Sequence, residues 1–224
     1  DNYYTNSKGE QKPLGSIGHL AAFSFHETKN IISGEGGMLV INDKQFEKSA
    51  EIIWEKGTNR AAFFRGEVDK YGWVDVGSSF LPSEIMAAFL WAQLEQIDLI
   101  QTKRKQIWDY YNEALRDWVN NYSIQSPFIP NYSTNNAHMY YIVMNSEGDR
   151  NSLLEVLKSN QIHGTFHYQS LHKSTFFLQN NELSILPESD RYSNNLIRLP
   201  LFFELTKEEL KKIVNTIISF VPNK

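Results

Sequence analysis

Short, unbroken apolar runs alternate with turn residues in the first third of the chain. The runs "LAAFSF" (20–25) and "GMLVIN" (37–42) are typical of strands buried on both faces of a sheet. The segment "DKQFEKSAEIIWEKG" (43–57) has apolar residues at helical spacing, with Asp43 as the N-terminal cap and Gly57 as the stop. A strand, a loop, a second strand and a helix in this order favour an α/β fold, in which neighbouring elements cover both strands.

The middle of the chain begins with a long irregular segment and continues as a long helical pattern. Residues 58–82 are rich in Arg, aromatic residues, Gly and Ser and show no period, and a loop of this length is commonly functional or part of an interface. A helical pattern follows from a Ser83 cap to residue 119, with a break near 96–100. Its first half is apolar nearly all round, so we expect it to be buried.

The pattern changes from about residue 122. Alternating runs at 138–144 ("HMYYIVM") and 164–171 ("GTFHYQSL") predict short strands, while 148–161 and 206–221 predict amphipathic helices. This combination indicates a small α+β domain with a short antiparallel sheet. We place the boundary in the helix around 95–105, which divides the chain into domains of residues 1–100 and 101–224.

Composition excludes several classes of function. The formal charge is −4 and the pI about 5.9, so no basic field favours nucleic acid. There are no cysteines, which excludes disulfides, thiolate catalysis and Cys-ligated zinc. No apolar run reaches the ~20 residues of a membrane span and the N-terminus is too polar for a signal peptide, which predicts a soluble, cytoplasmic protein. The chain does not start with Met, and we expect a further N-terminal portion to precede it.

Lys29 is the first candidate for chemistry. It follows an apolar strand and precedes "SGEGG" (33–37), so it lies where loops at the ends of strands hold ligands in α/β sheets. There we expect a buried amine that could attack a carbonyl carbon, while the alternative is an ordinary solvated lysine in a loop. The glycines lack the spacing of a dinucleotide fingerprint or the Lys-Ser/Thr of a P-loop, and more simply allow tight backbone turns.

Three histidines and two arginines are further candidates for functional sites. His163, His167 and His172 lie on a predicted strand where i and i+4 are about 13 Å apart, which disfavours a metal site. His167 is either a residue on the substrate side of a site or a packed strand histidine. Arg60 and Arg65 could hold a nucleotide diphosphate, or could form surface ion pairs with nearby carboxylates.

A series of segments spanning essentially the whole chain resembles the DegT/DnrJ/EryC1/StrS family of sugar-nucleotide aminotransferases. The segments occur in the same order as in the family: "PLGSIGHLAAFSFHETKNIISGEGGMLVIND", "EKGTNR", "FFRGEVDKY", "DVGSSFLPSEIMAAFLWAQLE", "NAHMYYI", "FHYQSLH" and "RLPLFFELT". The resemblance implies the aspartate-aminotransferase fold (PLP fold type I), here the C-terminal part of the large domain plus the small domain. It also implies pyridoxal 5'-phosphate (PLP) as cofactor and a homodimer with its active site at the subunit interface.

The family motif assigns roles to individual residues of this chain. Ser24-Phe25-His26-x-x-Lys29 matches the lysine motif, which makes Lys29 the Schiff-base lysine and proton carrier and places Ser24 on the cofactor phosphate. Ser79 occupies the place of an Asn that, in much of the family, reaches the phosphate of the neighbouring subunit's cofactor. Asp1 has the spacing from Lys29 of the family aspartate that pairs with the pyridine nitrogen, although residues 2–4 depart from the pattern that usually follows it.

The same resemblance implies a substrate class. The closest subgroup transfers an amino group from L-glutamate to C4 of a dTDP-4-keto-6-deoxyhexose for a bacterial surface polysaccharide. Amination at another sugar position or with another stereochemistry remains open, as does a fragment that is catalytically incomplete. The presence of Lys29 disfavours the dehydratases of the family, which lack this lysine.

Overall fold

The computed structural model describes residues 2–223, which form two compact units. Within the described residues, the first unit comprises residues 2–98 with Asn131–Thr134, and the second comprises Leu99–Pro130 with residues 135–223. The predicted domains of residues 1–100 and 101–224 stay a prediction. The assignment of the two units to a large and a small domain stays a prediction.

Two antiparallel strand pairs form the first half of the first unit. Strand β1 (Tyr3–Thr5) pairs with β2 (Gln11–Pro13), and β3 (Leu20–Ser24) pairs with β4 (Gly37–Ile41). The prediction of two strands at 20–25 and 37–42 is confirmed, but the prediction that both are buried is wrong. Their side chains are half-buried or exposed because, among residues 2–223, each of the two strands has only the other as its paired neighbour.

Three helices complete the first unit. Asp43 caps a 3-10 turn (Lys44–Phe46) by accepting the Gln45 N–H at 3.0 Å, and the chain continues as predicted into α1 (Glu47–Trp54). The short α2 (Arg60–Phe64) interrupts the predicted loop. Ser83 caps α3 (Glu84–Glu95), as predicted. The prediction that α3 is buried is wrong, because no described element covers its apolar side chains: Trp91 is 65 % exposed.

The second unit is built from helices around a two-stranded sheet. Strand β5 (Tyr140–Val143) pairs antiparallel with β6 (Leu196–Leu199). The predicted strand at 164–171 is wrong, since only Thr165 pairs with Arg198 and the chain then leaves β6 towards a 3-10 turn at Leu171–Lys173. The first helix of this unit, α4 (Ile97–Ala114), begins two residues before Leu99. The other helices are α5 (Arg116–Asn121), α6 (Glu147–Ser159), α7 (Thr175–Asn180), α8 (Pro187–Asn195) and α9 (Lys207–Ile218).

All of the fully buried apolar side chains within residues 2–223 belong to the second unit. Tyr111 of α4 stacks on Tyr140 of β5 with ring centroids 5.2 Å apart, and its hydroxyl donates to the carbonyl of Pro200 at 2.9 Å. Trp118 Nε1 donates to the carbonyl of Phe220 at 2.9 Å. These bonds satisfy the polar atoms of large aromatic side chains inside the core. Across the described residues, no helix is both long enough and apolar enough to cross a membrane.

Candidate functional site

The segment between β3 and β4, residues 25–36, is closed by its own backbone and is called the lysine loop. Phe25 N–H donates to Gly36 C=O at 2.9 Å, and Ser33 N–H donates to Phe25 C=O at 2.7 Å. Glu27 N–H donates to Gly34 C=O at 2.9 Å. The first bond extends the antiparallel β3–β4 pairing, and beyond it His26 and Gly34 form an isolated parallel bridge, so the loop has a defined shape at the end of β3.

Ser24 ends β3 directly before this loop, and Lys29 lies within it. The Lys29 N–H donates to His26 C=O at 2.9 Å, and its side chain is half-buried, not buried as expected from the sequence. No carboxylate of residues 2–223 forms an ion pair with its amine. The Ser24 Oγ accepts the His26 N–H at 3.3 Å, which leaves its own hydrogen free to donate.

His26 and Glu35 shape the loop around Lys29, and the sequence had predicted no role for either residue. His26 Nδ1 accepts the Thr28 N–H at 3.2 Å and lies 3.0 Å from Thr28 Oγ1. Because Nδ1 accepts, the neutral ring carries its proton on Nε2, which lies 3.5 Å from Glu35 Oε1. His26 and Glu35 lie on either side of Lys29 within one motif, and this position in the sequence could have indicated the pair.

Glycine is required at one point of the lysine loop. Gly36 has a φ of +137°, and a Cβ added there would lie 2.9 Å from Ser33 Oγ. The Ser33 hydroxyl itself donates to Glu35 C=O at 2.5 Å, so it cannot move without breaking that bond. A side chain at this position would therefore distort the turn that returns the chain to β4.

Ser79 lies in a different segment, held against the C-terminal end of α1. Ser79 and Glu55 form an isolated antiparallel bridge, and Lys56 N–H donates to Ser78 C=O at 3.1 Å. Ser79 is exposed. Within the described part of the chain, no hydrogen bond joins Ser79 to Ser24 or Lys29. The structure thus places Ser24 and Lys29 in neighbouring positions, at the end of β3 and in the loop after it, while Asp1 lies outside the described residues.

The two arginines of the aromatic segment form ion pairs. Arg65 donates to both carboxylate oxygens of Glu51 at 2.8 and 2.9 Å and to Glu67 at 2.7 Å. These hydrogen bonds, the one to Glu67 first, raise the pKa of Arg65. Arg60 lies 3.4 Å from Glu55. Of the two interpretations, the structure therefore favours ion pairing, because the guanidinium of Arg65 is already occupied by carboxylates.

The second unit contains an open cavity of about 550 Å³, called the C-terminal cavity. His167 and Tyr168 line it, together with His172, which is buried and lies 3.3 Å from Asp190. The hydrogen bond from Lys173, 2.8 Å away, lowers the pKa of Asp190. Among residues 2–223, no three His, Cys, Asp or Glu side chains form a group that could hold a metal ion.

Comparison with known proteins gives one family match. Residues 3–218 match the DegT/DnrJ/EryC1/StrS aminotransferase family. The chain is 26 % identical over 215 residues to UDP-4-amino-4,6-dideoxy-N-acetyl-beta-L-altrosamine transaminase of Helicobacter pylori, which covers 95 % of this chain and 55 % of that protein. It is 24 % identical over 227 residues to the spore coat polysaccharide biosynthesis protein SpsC of Bacillus subtilis, covering 97 % of this chain and 57 % of that protein.

Solved structures show the same fold. Spr1654 of Streptococcus pneumoniae, assigned as a sugar aminotransferase and solved in a PLP form, matches with a TM-score of 0.82 and 23 % identity over 97 % of this chain and 54 % of its own. PseC of Helicobacter pylori, an aminotransferase in pseudaminic acid biosynthesis, matches with a TM-score of 0.80 and 23 % identity over 92 % and 54 %. The predicted α/β class, PLP fold type I, is confirmed, and the chain spans about half the length of the relatives it matches.

Proposed function

Because the chain belongs to the DegT/DnrJ/EryC1/StrS aminotransferase family, we propose that the protein transfers an amino group to a ketosugar nucleotide with PLP as its cofactor. One observation carries the proposal: Ser24 ends β3, and the lysine loop that follows it carries a Lys29 amine that forms no ion pair with any carboxylate among the described residues. A lysine that already formed an ion pair would have to lose its partner before it could bind a carbonyl group.

The residues of the lysine loop fit this cofactor. The Ser24 hydroxyl has a free hydrogen for a phosphate oxygen, and the Lys29 amine is half-buried at the end of the same strand. A Cβ added at Gly34 would meet no atom within 4 Å, so there is open space next to this glycine of the lysine loop. When bound, PLP supplies an electron-withdrawing ring that stabilises negative charge on the substrate carbon.

Each residue then has a defined role. Lys29 Nζ would hold the cofactor and, once released, would move a proton from the donor's Cα to the cofactor carbon, and in the opposite direction when the amino group passes to the sugar. Ser24 Oγ donates to the cofactor phosphate. Ser79 donates to the phosphate of the partner subunit's cofactor in a homodimer, as the resemblance to the family implies. Asp1 pairs with the pyridine nitrogen.

The substrates follow from the subgroup that the sequence resembles. The amino donor is L-glutamate, and dTDP-4-keto-6-deoxy-D-glucose becomes dTDP-4-amino-4,6-dideoxy-D-galactose in the cytoplasm. The product would serve a surface polysaccharide such as enterobacterial common antigen. What supports this choice is the match of the motifs to dTDP-4-amino-4,6-dideoxygalactose transaminase, including Ser79 in place of the more common Asn.

A second candidate is a ketosugar aminotransferase of other position, stereochemistry or nucleotide. The Helicobacter pylori relative favours it, because its name specifies a UDP-linked altrosamine product. Incubation of the protein with L-glutamate and either dTDP-4-keto-6-deoxy-D-glucose or the corresponding UDP-sugar separates the two candidates. Analysis of the product by NMR assigns the aminated carbon and its configuration. A catalytically incomplete chain would produce no 2-oxoglutarate with either substrate.

Reductive labelling tests the role of Lys29 directly. The protein is incubated with PLP, reduced with borohydride, digested and mapped by mass spectrometry. We expect the label on Lys29, its loss in Lys29→Arg, and its retention in the matched control Lys12→Arg, whose side chain lies on the exposed strand β2. A label spread over many lysines, or an unchanged label in Lys29→Arg, would refute the assignment.

A further inference from the structure

Arg198 and His167 form a direct contact at the edge of the C-terminal cavity. Arg198 Nη1 lies 3.1 Å from His167 Nδ1. A guanidinium has five N–H donors and no acceptor, and it stays charged in proteins. The imidazole nitrogen facing it must therefore accept, which places the ring proton of a neutral His167 on Nε2.

The surroundings keep His167 neutral. Desolvation by its neighbours lowers the pKa of His167 first, although its side chain is exposed, and the charges of Arg198 and His163 lower it further. Tyr168 stacks on the imidazole with ring centroids 4.5 Å apart and offers no negative charge at neutral pH. No carboxylate within residues 2–223 forms an ion pair with His167 or Arg198. Nothing in the described part of the chain favours the imidazolium form.

The backbone fixes Arg198 in this position. Arg198 lies on β6, where it is opposite Tyr141 of β5. On its other side it exchanges two hydrogen bonds with Thr165, at 2.7 and 3.1 Å. Strand β6 is thus paired on both sides at Arg198, whose own N–H and C=O both bond to Thr165, and Thr165 is only two residues before His167. The two hydrogen bonds between Arg198 and Thr165 and the short segment from Thr165 to His167 therefore keep the guanidinium close to the imidazole.

We propose that Arg198 is a positioning residue that holds His167 as a neutral hydrogen-bond donor on the wall of the C-terminal cavity. With Nδ1 engaged by Arg198, the imidazole offers the cavity an N–H and no lone pair. His167 cannot then serve as a general base, and the ligand group facing it is an acceptor, such as a hydroxyl, carbonyl or phosphate oxygen. The inference stands on the second unit alone and does not depend on the role of Lys29.

Nitrogen-15 NMR of the imidazole rings of the full chain tests the proposal. The His167 signals are assigned by their loss in His167→Gln. We expect an unprotonated Nδ1 and a protonated Nε2 at neutral pH in the wild type. In Arg198→Met, which keeps the length of the side chain but removes its donors and charge, we expect a mixture of tautomers and an upward shift of the His167 titration midpoint. Arg198→Lys, which keeps a charged donor, retains most of the wild-type behaviour.

Each outcome of these experiments either supports the proposal or overturns it. A protonated Nδ1 in the wild type would overturn the proposal, whatever the variants do. Unchanged tautomers and titration in Arg198→Met would overturn it as well, because the contact would then have no effect on the ring. Should Arg198→Met fail to fold, as judged by circular dichroism, the wild-type spectrum and the Lys variant still decide. Loss of stability alone would not move the imidazole tautomer, so a purely structural role of Arg198 is distinguishable.

Discussion

Gly77 approaches the backbone of Gly57 so closely that replacing it with Ala should displace the segment that carries Ser79. The added Cβ would lie 2.0 Å from Gly57 N, 2.6 Å from Lys56 C and 2.7 Å from Gly57 Cα. Ordinary contact begins near 3.4 Å, so the first of these atoms must move by about 1.4 Å, the difference between 3.4 and 2.0 Å. All three are backbone atoms, so no side-chain rotation can relieve the clash.

The cost follows from this geometry. Overpacking typically costs about 1–3 kcal/mol, and a clash with backbone alone belongs at the upper end. At roughly 2–4 °C per kcal/mol for a chain of this size, Gly77→Ala should lower the melting temperature by roughly 6–12 °C. The hydrogen bond from Lys56 N–H to Ser78 C=O should open as well, so amide exchange of Lys56 should accelerate.

Gly72→Ala is the matched control, because a Cβ there meets no atom within 4 Å. We expect its melting temperature to stay near that of the wild type. Both variants are compared by scanning calorimetry and hydrogen exchange under identical conditions. If Gly77→Ala melts together with Gly72→Ala and the Lys56 amide stays protected, the close approach does not hold the Ser79 segment, and the reasoning is wrong.

Two further predictions concern the second unit. Tyr111→Phe leaves the partly buried carbonyl of Pro200 without its donor and should lower the free energy of unfolding by about 1–2 kcal/mol in urea titrations. Tyr71→Phe, at an exposed tyrosine, should change it little, and equal effects of the two substitutions would contradict this. Asp149 accepts the Asn223 backbone N–H at 3.0 Å, and this hydrogen bond is the main cause that lowers the pKa of Asp149. Its contribution to stability is thus full above the unfolded pKa, about 3.9, and is lost as the pH falls through the lower folded pKa. Asp149→Asn should therefore cost stability at pH 6 and progressively less on acidification; a cost independent of pH would exclude this linkage.

Local signals predicted the helices well because their causes are local. Ser83 caps its helix as expected, Asp43 caps the 3-10 turn that leads into α1, and Thr206 forms a full capping box with Glu209. The lysine loop was also foreseeable, since a strand, glycines and a second strand follow one another along the chain. Whether Lys29 and Ser24 act as the motif implies stays a prediction that labelling must test.

Burial was the part that the sequence could not predict. The apolar runs of β3 and α3 specify which side chains favour a nonpolar environment, but not which element covers them. The same reason explains the missing strand at 164–171: alternation suits a strand, but β6 offers a partner only at Thr165. The Arg198–His167 contact joins residues 31 positions apart. Because the register of the sheet was uncertain, the spacing of these residues in the sequence could not have predicted their contact.

The lysine loop has a consequence for the order in which the chain folds. Its backbone bonds span at most the distance from Phe25 to Gly36, whereas the bonds from Tyr111 to Pro200 and from Trp118 to Phe220 span 89 and 102 residues. Closing a short loop costs less chain entropy, and short-range structure forms faster than contacts between distant residues. We therefore expect the loop around Lys29 to reach its native turn while the aromatic core of the second unit is still assembling, so the proposed chemical centre would be among the earliest parts of the molecule to take shape.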